Sequence, residues 1–179
     1  MRQVLKCQGT HLIHWCIALV ALVMLAGCGQ PQEPSPPVIY YGQHECDVCR
    51  MIISDDRYAA ALVHVDDRGR FVSMAFDDIG CLLELEQEQE QEGQALQIVA
   101  RYVTDAETGQ WLDASDATYL HSKSLRTPMA YYLAALRDRN RAAAMQQDHP
   151  GDILTFEQVR QRHAARALRD FATHTGGHS

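Results

Sequence analysis

The sequence predicts an α+β fold: two small pseudo-repeated ββαβ units followed by a C-terminal helix. Three observations carry this. Two apolar runs suited to strands are separated by a tight-turn tetrapeptide, a capped apolar helix and a further strand follow them, and the second half repeats the plan in looser form. The chain has 179 residues, 46% hydrophobic and 22% charged. That composition excludes a disordered, collagen-like or multi-span membrane protein. Its 16 Lys+Arg stand against 23 Asp+Glu, a formal net charge of -7. The acidic balance argues against nucleic acid as a partner, because such binding comes from neutralising phosphates.

Residues 1–27 read as an export signal. Arg2 and Lys6 precede an apolar run from Trp15 to Leu25, and small residues follow. The run is about ten residues, short of the ~20 that a spanning helix needs. Leu25-Ala26-Gly27-Cys28 then looks like a bacterial lipobox, in which Cys28 becomes the diacylated first residue of the mature chain; the alternative is a short uncleaved anchor. Gly29 in the second position does not suggest retention in the inner membrane, so the expected location is the periplasmic face of a bacterial membrane, the outer one. Arg2 and Lys6 are the only charges before Cys28, so their loss takes the net charge from -7 to -9. Residues 28–37 form a proline-rich linker, expected to be extended and to hold the domain off the membrane. Folding is expected to begin near Val38, and the domain to span 38–171, with units of about 38–103 and 104–155.

Residues 59–65 suit a strand, Asp66-Asp67-Arg68-Gly69 supplies a turn, and Arg70 to Phe76 a second strand. Asp77 or Asp78 can cap a helix running through Ile79, Leu82, Leu83 and Leu85 into the Glu/Gln run, which reads as a solvated face ending at Gly93. A strand from Leu96 to Val103 completes the first unit. In the second, Trp111-Leu112 and Ala117 to Leu120 offer short strands. Met129, Tyr132, Leu133 and Leu136 fall at helical spacing after Pro128, which suits a first turn. A strand at Ile153-Leu154 precedes a last helix, 156–171, where Thr155 and Gln158 make a capping box. Its Arg160, Arg162, Arg166 and Arg169 read as a solvated basic face, with a partner surface as the alternative, and 172–179 as a disordered tail.

The informative stretch is Cys46-Asp47-Val48-Cys49-Arg50-Met51, two thiols and a thioether within six positions. It admits three chemistries: a soft-metal site suited to Cu(I), a thioredoxin-type redox pair, or a structural disulfide in an oxidising compartment. The redox pair wants a strand before the motif and a long helix after it, and neither is signalled. Zinc normally takes four ligands, and no second Cys-x-x-Cys exists. Cys81, at the first turn of an apolar helix, reads as a buried free thiol, and Met74 as core. Met129 is ambiguous between core and site. His44 and His121 are possible nitrogen ligands, and His64 reads as a strand residue. Nothing resembles a nucleophile elbow, a phosphate loop or a Ser/His/Asp arrangement, so a non-enzymatic binding protein is expected.

As a whole, the pattern resembles the NosL family, exported lipoproteins that act as copper chaperones for nitrous oxide reductase. The matching pieces are Leu25 to Cys28, Cys46 to Ile53, Phe76 to Leu82, Tyr102 to Asp105, Trp111 to Ala114 and Thr127-Pro128-Met129. The resemblance implies one Cu(I) held by Cys46, Cys49, Met51 and Met129, with Cys28 as the lipid attachment. It implies delivery to the copper-sulfide centre of nitrous oxide reductase, with copper-site maturation proteins and the reductase as partners. The family usually has glycine where this chain has Arg50, and tends to have glycine where it has Ala130. The competing reading is a periplasmic thiol-disulfide oxidoreductase acting through Cys46 and Cys49.

Overall fold

The structure, a computed structural model, describes residues 33–166 with Leu168 and Arg169. The export segment, Cys28, the start of the linker and the 172–179 tail lie outside the described residues. The first sheet contains β1 (Ala60–Val65), β2 (Phe71–Phe76), β3 (Gln97–Thr104) and β4 (Trp111–Asp113), in the order β2-β1-β3-β4. β1 is central, paired with β2 on one side and β3 on the other, and its Ala60 to Val63 are buried, as suits a strand covered on both faces. The β1–β2 hairpin is closed as the sequence predicts. The Asp66 side chain accepts the N–H groups of Arg68 and Arg70, each at 2.9 Å, and Gly69 supplies the positive φ of 74°.

Helix α1 (Ile79–Gln91) joins β2 to β3 and starts where Asp78 accepts the Gly80 N–H at 3.0 Å. The second sheet contains β5 (Thr118–His121), β6 (Leu133–Leu136) and β7 (Asp152–Leu154), in the order β6-β5-β7. Helix α2 (Arg139–Asp148) lies between β6 and β7 in sequence. In both units the first strand is central, its hairpin partner lies on one side and the strand after the helix on the other. This is the pseudo-repeat, but its second unit opens with β5: Trp111-Leu112, expected from the sequence in that unit, is β4 and pairs with β3 as an edge of the first sheet. The sheets meet just beyond β3, where Asp105 bridges to Ala135 of β6 and the Ala106 N–H donates to the Ala135 carbonyl at 2.8 Å. The last helix, α3 (Phe156–Ala164), begins with the predicted capping box.

Four expectations change. The run after Pro128 is no helix: Ala130 and Tyr132 hold φ of 57° and 59°, and Leu133 to Leu136 form β6. All four β6 residues are buried, and a short continuously apolar strand carries the same residues that a helical period would sample. The helix comes later, capped by Asp138, which accepts the N–H groups of Asn140 and Arg141. Helix α3 ends at Ala164 and not at 171, with Arg166 at φ 56° beyond it. The chain docks before Val38, because the Tyr102 hydroxyl donates to the Pro34 carbonyl at 2.7 Å. Finally, the acidic run and the last arginines are not two solvated faces. Glu86 is buried and pairs with Arg101 at 2.6 Å and Arg160 at 3.8 Å, and Arg169 pairs with Glu84 at 3.3 Å.

Candidate metal centre

The segment holding the first two thiols is a short hairpin zipped by its own backbone. The Cys46 N–H donates to the Met51 carbonyl at 2.8 Å, the Arg50 N–H to the Cys46 carbonyl at 3.0 Å, and the Ile53 N–H to the His44 carbonyl at 2.8 Å. Closing so tight a loop needs a left-handed residue, and Arg50 supplies it at φ 63°. Asp47 then clamps the hairpin to the end of β2. Its N–H donates to the Ala75 carbonyl at 2.9 Å, and its Oδ2 accepts the Ala75 N–H at 2.7 Å.

Because β2 runs on into α1, this clamp sets the hairpin against the strand-to-helix junction Phe76-Asp77-Asp78-Ile79-Gly80-Cys81. The outcome is a cluster of Cys46, Cys49, Asp77 and Cys81, whose ligand atoms all lie within 4.8 Å of one another. The Cys49 and Cys81 thiols each donate to Asp77 Oδ1 at 3.4 Å. Asp77 Oδ2 is buried without a hydrogen-bond partner. A buried carboxylate oxygen in that state is costly unless a cation or proton faces it, so the donor set fits a metal ion.

The three thiols differ electrostatically. A hydrogen bond from Cys81, with backbone N–H groups of Cys49, Asp77 and Val48 adding to it against the effect of burial, pulls the Cys46 thiol down to about 6. Burial pushes the Cys49 thiol up to about 11. The hydrogen bond to Cys46 and burial push Cys81 far above the usual thiol range. One thiolate is therefore ready at neutral pH, with two protonated thiols beside it. Cys46 and Cys81 are fully buried, and Cys49 is half-buried.

The sequence singled out Cys46 and Cys49, and the structure brings them together. Met51 follows directly, but its side chain is exposed. Met129 lies in the turn between β5 and β6, half-buried against the core, with its N–H donating to Asp78 Oδ2 at 3.0 Å. It is therefore held at the N-terminus of α1, close in the fold to the cluster although not on a helix. This docking needs Gly80: a Cβ there would sit 2.0 Å from the Tyr131 ring of the same turn. His44 is exposed beside the hairpin, its Nδ1 accepting the Tyr40 N–H at 3.4 Å. His121 is buried elsewhere, on the Leu168 carbonyl at 2.9 Å. Cys81 is buried as expected, yet as part of the cluster, and Asp77 was read only as a possible cap. Their i, i+4 spacing across the junction was the available signal.

The sequence model of the NosL family matches residues 37–164. The chain is 30% identical over 151 residues to the copper-binding lipoprotein NosL of Stutzerimonas stutzeri, covering 81% of this chain and 78% of that protein. Its fold is similar to the crystal structure of the copper chaperone NosL from Shewanella denitrificans, with a TM-score of 0.58, 16% identity, and coverage of 70% of this chain and 96% of that one. With a family match over most of its length and the α+β architecture shared, the chain belongs to the NosL family.

Proposed function

We propose that this protein is an exported, membrane-anchored Cu(I) metallochaperone. The observation that carries this reading is the cluster of three thiols with the Asp77 carboxylate, in which two of the thiols donate to Oδ1 while Oδ2 is buried without a partner. Cu(I) is satisfied by two or three soft ligands, and an edge site with an exposed thioether beside it suits a metal that must be handed on. In this reading Cys46 and Cys49 are the principal ligands, with Met51 and Met129 as thioether donors, and Cys81 and Asp77 line the floor. Copper is cargo here, so no catalytic step is involved. The relatives named for copper binding and copper chaperoning support the reading. The family resemblance extends it to delivery for the copper-sulfide centre of nitrous oxide reductase, by a chain anchored through diacylated Cys28 at the periplasmic face of the outer membrane.

The low Cys46 value would also suit a thiol-disulfide oxidoreductase, but a buried sulfur gives a disulfide substrate no line of attack. Anaerobic titration of the reduced protein with Cu(I), followed by absorbance and intact mass, separates the two. One equivalent should bind with thiolate-to-copper absorption, and Cys46→Ser should remove tight binding. Met129→Leu keeps volume and hydrophobicity, so it should leave the thermal midpoint nearly unchanged while weakening Cu(I) affinity about tenfold, or roughly 1.4 kcal/mol. Turnover of a disulfide substrate by the copper-free protein without stoichiometric Cu(I) uptake would overturn the assignment. Unchanged affinity with lowered stability in Met129→Leu would remove Met129 from the site.

A further inference from the structure

Most of the exposed large apolar side chains among the described residues lie in two segments, Val38, Tyr40 and Tyr41, and Met51 and Ile52. Val38 is 71% exposed and Tyr40 63%. The two segments are adjacent, because the Gly42 N–H donates to the Ile53 carbonyl at 2.8 Å and Glu45 bridges to Ile52. They lie side by side, next to the thiol-bearing hairpin. The two remaining exposed apolar residues, Phe71 and Val99, are at the other end of the first sheet, where Phe71 pairs with Val65 and neighbouring Ile98 with His64. The thiol-bearing hairpin docks at Ala75, the opposite end of β2.

We propose that this apolar patch rests on a lipid bilayer, so that the copper site faces the membrane. The inference rests on the anchoring at Cys28 in the proposed function and adds the orientation. The Tyr102 hydroxyl fixes Pro34 to β3, only six residues after Cys28. Six residues span at most about 22 Å whatever their conformation. A domain of this length has a radius of gyration of about 14 Å, so its far side is out of reach of such a tether. The face that can reach the bilayer is the one on which Pro34 is pinned. Tyr102 lies in β3 opposite Ala61, at the sheet end where Ala60 meets Phe76 and the hairpin docks. Val38 and Tyr40 follow Pro34 directly. Tyrosines favour the membrane interface, with an apolar body and a polar tip. The linker is thus a short leash and not a spacer, and the acidic chain makes the contact apolar, not electrostatic.

The test uses the lipidated full chain in phosphatidylcholine vesicles containing brominated phosphatidylcholine, which quenches tryptophan in the bilayer. Tyr40→Trp and Phe71→Trp are each made in a Trp111→Phe background, which removes the other tryptophan after Cys28. The reporter at position 40 should be quenched several-fold more than the one at position 71, and added salt should not change this. Val38→Ser with Ile52→Ser should reduce quenching at position 40 while leaving Cu(I) stoichiometry at one. A lipidated chain with both reporters equally unquenched overturns the orientation and assigns the patch to a protein partner, leaving the anchor and copper binding intact. A mature chain lacking the diacylglyceryl mass on Cys28 overturns the anchor and, with it, the orientation.

Discussion

Arg50 occupies the left-handed region at φ 63° and Ala130 does so at φ 57°, the two positions where the resemblance leads one to expect glycine. The turns therefore keep the conformation that glycine would serve and carry the steric cost of a Cβ, about 1–2 kcal/mol in that region. Arg50→Gly should raise stability by up to about 1 kcal/mol, since glycine's larger unfolded-state entropy returns part of the relief. Arg50→Val should lower it by about 1–2 kcal/mol, both read by thermal unfolding at fixed pH. A second consequence at this scale concerns protons. Above pH 6 Cys46 is already ionised, whereas Cys49, near 11, is not, so Cu(I) held by that pair displaces one proton. Between pH 7 and 9 the apparent Cu(I) affinity should rise about tenfold per pH unit, and more steeply below about pH 6, where Cys46 also binds a proton. Competition with a Cu(I) chelator across that range checks this, and a hundredfold rise per unit would show that Cys81 gives up its proton as well. The spacing of Cys46 and Cys49 was legible in the sequence. Asp77 was not, because two adjacent aspartates both read as helix caps and only the fold turns one of them toward the thiols.

Among elements, α1 carries the most consequences. Its buried Glu86 is held between Arg101 of β3 and Arg160 of α3, which ties the first sheet to the last helix across α1. Removing the charge leaves Arg101, itself partly covered, without its partner. Glu86→Gln should therefore destabilise the protein by about 1–3 kcal/mol, seen in the denaturation midpoint, with Cu(I) stoichiometry unchanged. The first hairpin and α1 were readable because strand-suited apolar runs, turn residues and a cap all agree locally. The segment 129–136 was not. Its apolar spacing satisfies a helix, and what forbids one is the docking of its turn on α1, where Asp78 takes the Met129 N–H and Tyr131 lies over Gly80. That contact joins residues 51 positions apart and leaves no local trace. Gly80→Ala should accordingly cost about 1–3 kcal/mol and loosen this turn.

For the whole molecule, the first unit was legible as an order of elements, whereas in the second Trp111-Leu112 was read as the opening strand although it pairs with β3, and the way the two sheets join through Asp105 and Ala135 left no trace in the sequence. The segment after α3 returns to the core: Leu168 is fully buried, and its carbonyl meets the His121 side chain of β5 at 2.9 Å. Nothing in the arginine-rich sequence before it signals a core residue there. Leu168→Ala should destabilise the protein by about 2–5 kcal/mol, a cavity-forming loss that chemical denaturation would measure.

The order of burial of the sulfur atoms has a consequence for how the site meets oxidants. Cys46 and Cys81 are sealed, while Met51 is 48% exposed at the rim. A peroxide that reaches this rim therefore meets a thioether before it meets either sealed thiol. Methionine sulfoxide is enzymatically reversible, whereas overoxidised cysteine is in most settings lost for good. The exposed methionine makes the first oxidative injury to this site one that can be repaired.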